Sequence, residues 1–114
     1  MNLHHAAEYM DLELAQRLLA GQVDVNKPDE FGQTALHIAI DAAVEEAIFI
    51  YDTEQRAVAP RVELIEVLLA HGANPNLPDS NGRTPRDWAL ERKNAAFIAA
   101  IDQLIAKYLP GNIG

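Results

Sequence analysis

The chain has 114 residues, 49% of them apolar, which is enough for one domain with a modest core. It has no cysteine and no apolar run of membrane-spanning length, which excludes disulfides, thiolate metal sites and a transmembrane helix. The net charge is −8: residues 1–54 carry 11 acids against Arg17 and Lys27, whereas residues 55–114 carry 6 acids and 7 bases. This balance argues against direct nucleic-acid binding, because phosphates require a basic footprint.

The N-terminus lacks a basic segment followed by an apolar run, so it shows no secretory signal. Together with the absence of cysteine, this predicts a cytoplasmic protein without a membrane partner. Two interpretations of the acidity remain open. The acids keep a small protein soluble, or they attract a basic protein partner.

Two short helices are predicted at the start of the chain. Asn2 can cap the first, over about residues 3–9, and Asp11 can cap the second, over about residues 12–20. Both side chains can accept hydrogen bonds from the free N–H groups of a first helical turn. The leucines of the second helix fall on one face, which predicts that this face packs inward.

A turn followed by a helix start occurs twice, at residues 29–39 and 79–89, with Asp, Gly, Thr and Ala recurring at an offset of 50. Gly32 can adopt a positive φ in the turn. Thr34 can cap the helix that follows, and Pro85 suits the first helical position of the second copy. A fixed offset over several positions indicates a repeat protein.

The run Thr-Ala-Leu-His-Ile-Ala at residues 34–39 resembles the ankyrin repeat signature, Thr-Pro-Leu-His-x-Ala at a 33-residue period. Residues 84–89 match it more loosely, and residues 3–6 align with residues 36–39 at an offset of 33. Residues 68–76 are similar to the family's Leu-Leu-x-x-Gly-Ala-Asp-x-Asn ending.

The resemblance implies an all-α fold, an ankyrin-type solenoid of about three helix-turn-helix repeats with short finger turns. We expect a single domain over residues 1–114. Its units cover about residues 1–28, 29–78 and 79–114, and the second contains an insertion near residues 44–60.

Histidine is a common metal ligand, and the chain has four histidines. The resemblance implies a structural role for His37 instead, in which the ring hydrogen-bonds the turn to the helix start. Neither the spacing nor the context of His4, His5 and His71 indicates a metal site. We therefore predict no metal and no cofactor.

The second unit is about 17 residues longer than the period of the family. A helical stripe runs through the extra residues. It consists of Ile40, Val44, Ala47, Ile48 and Tyr51. We predict that the unit's first helix continues to about Tyr51, that residues 52–59 return the chain, and that Pro60 begins the next helix. Phe49 and Ile50 are surplus to the stripe: either the return segment covers them, or they form an exposed patch for a partner or a second copy.

In the third unit Arg86 stands where an apolar residue would face a following repeat, which suits the polar outer face of a terminal unit. Trp88 aligns with Ile38, and we predict that it lies in the core. Asn94 can cap the last helix. The predicted inner face of that helix comprises Ala96, Ile98, Ile101, Leu104, Ile105 and Tyr108.

No catalytic constellation is visible, because the carboxylates are scattered and no nucleophile motif or phosphate-binding loop occurs. The resemblance implies a non-catalytic protein-protein interaction module that uses its finger tips and concave helix face. The candidate partner-binding residues are Tyr9, Glu30, Phe31, Gln33, Asp41, Phe49, Ile50, Asn81 and Arg83. The alternative is an acidic inhibitor or immunity-type protein that neutralises a basic enzyme such as a nuclease or toxin. Self-association through the insertion is a third possibility.

Overall fold

Helices account for all the regular secondary structure in residues 2–109, the part of the chain that the computed structural model describes. They are α1 (Leu3–Glu8), α2 (Leu12–Leu19), α3 (Ala35–Glu54), α4 (Glu63–Ala70), α5 (Pro85–Glu91) and α6 (Ala95–Tyr108). No strand occurs within these residues, and the predicted all-α class is confirmed. The run Leu-Pro-Gly at residues 109–111 predicts the end of the last helix. The helix ends at Tyr108, and residues 110–111 lie outside the described residues.

The helices form two layers. In one layer α3 packs between α1 and α5, and in the other α4 packs between α2 and α6. The core lies between the layers and includes Leu36, Ile40, Ile65, Leu68 and Ile101, each at most 2% exposed. Each helix pair therefore stacks only on its neighbours, which is the architecture of a helical solenoid.

Side-chain caps begin five of the six described helices. The hydroxyl oxygens of Thr34 and Thr84 accept from the backbone N–H of His37 and Asp87, whose own side chains accept from the N–H of the cap residues. The three other caps are Asn2, Asp11 and Asn94. All five predicted helix starts are confirmed, because the capping chemistry can be read locally from the sequence.

Helix α4 begins at Glu63, so the prediction that Pro60 opens it was wrong. Val62 precedes the helix without a side-chain capping bond. The Arg61 guanidinium forms two hydrogen bonds of 2.8 and 2.7 Å with the Glu46 carboxylate of α3. This contact holds the end of the return segment, which covers residues 55–62 in the structure, against α3. Helix α4 starts only after it.

Helix α3 is 20 residues long and ends at Glu54, three residues beyond the predicted end. Its length is about 30 Å at 1.5 Å per residue. The neighbouring helices of its layer end at Glu8 and Glu91, which both correspond to Asp41 by the repeat offsets. Residues 42–54 therefore project beyond them by about 20 Å.

Two burial predictions in the third unit need correction. Trp88 is half-buried rather than a core residue: its indole N–H donates to Asp79 at 3.0 Å, and its ring meets the His37 ring edge-on at 5.1 Å between centroids. In α6, Ala96 is exposed and Phe97 is 3% exposed. The buried positions Phe97, Ile101 and Ile105 are spaced by four residues, one step away from the predicted start of the inner face.

The outer side of the last unit is polar, as predicted for Arg86. Its guanidinium pairs with Asp102 of α6 at 2.8 and 3.0 Å. Hydrogen bonding to Asp102 raises the pKa of Arg86, so the guanidinium stays charged. A charged pair thus lies where another repeat would require apolar contact.

Candidate functional site

Two short turns project from the helices, a first finger (residues 29–33) and a second finger (residues 79–83). Each begins with an aspartate whose carboxylate accepts two backbone N–H bonds at 2.8–2.9 Å, from the residues two and four positions later. The N–H groups of Asp29 and Asp79 donate to the carbonyls of Gln33 and Arg83. These bonds make both fingers defined turns rather than loose loops.

The two fingers touch each other through their backbones. The Ser80 N–H donates to the Phe31 carbonyl at 2.9 Å. Gly32 has a φ of 74°, and a Cβ there would lie 2.7 Å from the Ser80 nitrogen. Only glycine fits this approach, because an added carbon would collide with backbone atoms.

Histidine rings tie each helix pair to the next finger. The Nε2 atoms of His4 and His37 lie 2.9 Å from the carbonyl oxygens of Gln33 and Arg83, respectively. The Nδ1 atom of His37 accepts from the Thr34 N–H at 3.0 Å, so its Nε2 carries the proton. Burial lowers the pKa of His37, which favours this neutral form. The expected structural role of His37 is confirmed. Its ring also bonds the Arg83 carbonyl of the following unit.

A groove of about 410 Å³ lies between the fingers and the helices α3 and α5. Its walls are Gln33, Asp41, Asp79, Asn81, Arg83, Trp88, Glu91 and Arg92. Four of the predicted partner-binding residues meet here, namely Gln33, Asp41, Asn81 and Arg83. Trp88, Glu91 and Arg92 complete the groove but were outside the predicted set, although the repeat offset aligns Glu91 with Asp41.

Charged pairs organise the groove. The Arg92 guanidinium bonds the carboxylates of Asp41, at 2.6 Å, and Glu45. Hydrogen bonding to Glu45 and Asp41 raises the pKa of Arg92. Arg83 pairs with Glu91 on the other side. The Arg92 contacts join α3 to the end of α5, and the Arg83–Glu91 pair joins the second finger to α5.

Asp79 forms the floor of the groove beside Trp88. Its carboxylate accepts bonds from the N–H groups of Arg83 and Asn81 and from the indole of Trp88. The backbone bond from Arg83 is the largest of the causes that lower the pKa of Asp79. The carboxylate is therefore ionised and committed to the finger.

The other predicted residues lie outside the groove lining. Tyr9 is 67% exposed at the end of α1, and Phe31 is 59% exposed at the tip of the first finger beside Glu30. On the projecting part of α3, Phe49 is 66% exposed and Ile50 is half-buried. The structure therefore distributes the predicted set over the groove, the finger tip, the end of α1 and the α3 extension.

The return segment does not cover Phe49. It packs on another side of α3, where residues such as Ile48, Tyr51, Val58 and Pro60 line a shallow groove of about 270 Å³. Of the two interpretations that the sequence left open, covering by the return segment thus fails for Phe49. Phe49 is an exposed side chain of the monomer.

Neither a metal site nor a membrane-spanning helix is found in the described part of the chain. Among residues 2–109 no three His, Asp or Glu side chains are grouped so that they could hold a metal ion. No helix in this range is long and apolar enough to cross a bilayer.

Comparison with known proteins gives one consistent result. The family described as "Ankyrin repeats (3 copies)" matches residues 3–109. The chain is 30% identical over 117 residues to neurogenic locus notch homolog protein 1 of Xenopus tropicalis, which covers 87% of this chain and 5% of that protein. It spans between 4% and 9% of the length of the curated relatives that it matches.

Solved structures agree with this match. An ankyrin repeat domain from Acinetobacter baumannii has a TM-score of 0.68 and 29% identity, covering 90% of this chain and 46% of that chain. A chain in the structure of the Bd0816 predatory endopeptidase of Bdellovibrio bacteriovorus with immunity protein Bd3460 has a TM-score of 0.66. At 21% identity, covering 90% of this chain and 45% of that chain, the second likeness concerns the fold alone.

Proposed function

Because the chain belongs to the ankyrin repeat family, we propose that it is a non-catalytic module that binds another protein through the groove and the finger tips. Ankyrin repeats are protein-protein interaction modules. The observation that carries the proposal for this chain is the groove itself. Its charged and aromatic walls are held by two hydrogen-bonded fingers and by the pairs that Arg92 and Arg83 form.

The rigidity of this surface supports a binding role. A partner that meets ordered fingers loses less conformational entropy than one that must order them. Phe31 and Tyr9, more than half exposed, provide aromatic side chains of the type that concentrate binding energy in protein interfaces. Asn81 and Arg83 supply polar contacts next to them.

Affinity capture from the source cell tests the proposal. We expect a protein that binds the parent chain to be lost at least tenfold with Phe31→Ser and with Arg83→Ala. Arg17→Ala is the matched control, since this side chain is 70% exposed on α2 and pairs only with Glu13 among the described residues. A partner that both the finger-tip variant Phe31→Ser and the groove variant Arg83→Ala retain would refute the assignment.

A specific observation favours the inhibitor or immunity-type alternative as a second candidate. Acids of the first half retain surplus negative charge after ion pairing: one arginine serves both Asp41 and Glu45, and exposed Glu8 and Glu30 form no ion pair within the described residues. Such a surface accelerates encounter with a basic enzyme. Under this candidate the association rate falls steeply as salt rises and falls further with Glu30→Gln. An association rate that is independent of salt would exclude it.

A further inference from the structure

The face of α3 that borders the groove continues into the inserted part of the helix. Asp41 and Glu45 are four residues apart, and both bond Arg92, which lines the groove. Phe49 follows four residues later. Side chains at this spacing lie above one another on one face of a helix. At 3.6 residues per turn, each step of four residues turns by about 40°, so Phe49 lies about 80° around the helix from Asp41 and about 12 Å along it, on the flank of the face that borders the groove.

This placement separates Phe49 from the other exposed apolar residues of the insertion. Ile48 and Tyr51 line the groove against the return segment and lie about 100° and 160° around the helix from Phe49. Phe49 is 66% exposed and has no apolar cover from the return segment. The neighbouring helices of the same layer, α1 and α5, end before this point. The insertion thus adds an exposed aromatic side chain on the groove side of α3.

The charge of the strip between Phe31 and Phe49 indicates what it can meet. Glu30, Asp41 and Glu45 contribute three negative charges along this strip, and Arg92 supplies one positive charge. A second copy of the chain would place the same negative strip against itself. A basic partner meets it with complementary charge.

We propose that the inserted half of α3 is a recognition extension of the groove, with Phe49 as its apolar anchor for a basic segment of another protein. The segment lies along α3, places cationic side chains opposite Asp41 and Glu45, and covers Phe49 with an apolar side chain. This inference rests on the proposed function and deepens it by naming the chemistry of the partner.

A peptide selection tests the inference even before a natural partner is identified. Random 20-residue peptides are displayed and selected on the immobilised chain, and the enriched peptides are synthesised for titration. We expect them to be net basic and to contain apolar residues. Phe49→Ser should weaken their binding at least tenfold. Tyr51→Ser is the matched control, since this side chain is 53% exposed on the other side of α3, and it should change binding less than twofold.

The outcomes distinguish this inference from the proposed function. Peptides that are weakened by Phe31→Ser and Arg83→Ala but not by Phe49→Ser overturn the extension and leave the groove intact. Peptides whose binding is changed by none of Phe31→Ser, Arg83→Ala and Phe49→Ser refute the proposed binding groove together with the extension. The proposal of a basic partner is overturned if acidic or neutral peptides are enriched, or if no peptide is. It is also overturned by a dimer in sedimentation velocity that Phe49→Ser dissociates, and this result assigns the patch to a second copy.

Discussion

Replacing His37 with alanine tests the connection between the helix pairs and the fingers. The ring is fully buried, and its removal leaves the Thr34 N–H and the Arg83 carbonyl without their bonds of 3.0 and 2.9 Å. A buried unpaired polar group costs about 1–3 kcal/mol. For two such groups and a cavity beside Trp88, we expect the free energy of unfolding to fall by about 3–5 kcal/mol.

Thermal unfolding followed by circular dichroism measures this loss. For a domain of this size, a change of 1 kcal/mol moves Tm by about 4–8 °C, so His37→Ala should lower Tm by at least about 12 °C. His71→Ala is the control, because this ring is exposed and bonds only a carbonyl of its own helix. A Tm for His37→Ala within 2 °C of the parent, taking that margin as about 0.5 kcal/mol, would refute the reasoning.

The same histidine predicts a pH dependence. The unfolded chain binds a proton at His37 near its ordinary pKa of about 6.5, whereas the folded chain resists protonation because burial lowers that pKa. The unfolded state therefore binds more protons below pH 6.5, and stability falls as the pH decreases through this range, by at most about 1.4 kcal/mol per pH unit. Urea unfolding between pH 7.5 and 5 should show this slope in the parent and a smaller one in His37→Ala. Equal slopes would contradict the assignment.

Three further substitutions have expected outcomes in the same unfolding assays. Gly32→Ala should destabilise by more than about 2 kcal/mol, because a Cβ collides with Ser80, whereas Gly82→Ala, with open space at a similar φ of 79°, should cost only the backbone term of about 1–2 kcal/mol. Equal losses would show that the contact between the fingers is unimportant. Trp88→Ala should destabilise by about 2 kcal/mol, less than the 3–5 kcal/mol of a fully buried tryptophan, and a loss below about 0.5 kcal/mol would exclude a structural role. Lys93→Gly should stabilise by about 0.5–1 kcal/mol, because Lys93 has a φ of 58°, and any destabilisation would contradict this.

The local part of the fold could be predicted because its chemistry is local. A Thr or Asn at a helix start acts within four residues of itself, so the sequence shows both partners. The residues of α6 that face the core could not be predicted in this way. Its inner face is rich in apolar residues at many spacings, and only packing against α4 and α5 selects Phe97 over Ala96.

The alignment of Trp88 with Ile38 was sound, but the inference from it was not. Ile38 is itself half-buried and, like Trp88, packs against the core from its edge, so the aligned position is not a fully buried one. Contacts between the repeat units could not be predicted from the sequence either. The bonds from His37 to Arg83 and from Arg92 to Asp41 join residues 46 and 51 positions apart, and only the stacking of the units brings them together.

The insertion contributes little to the core of the array. No residue from 45 to 54 is buried. This part of α3 is held by the ion pairs of Glu45 with Arg92 and of Glu46 with Arg61, and by partly exposed apolar contacts with the return segment. Exposed ion pairs contribute about 0–1 kcal/mol each, so the segment is a weak brace. Because stacking alone does not account for it, we propose that its role lies in the surface that it adds. Phe49 follows Asp41 and Glu45, which both bond Arg92 of the groove, at steps of four residues, so that surface lies beside the face where we propose that a partner binds.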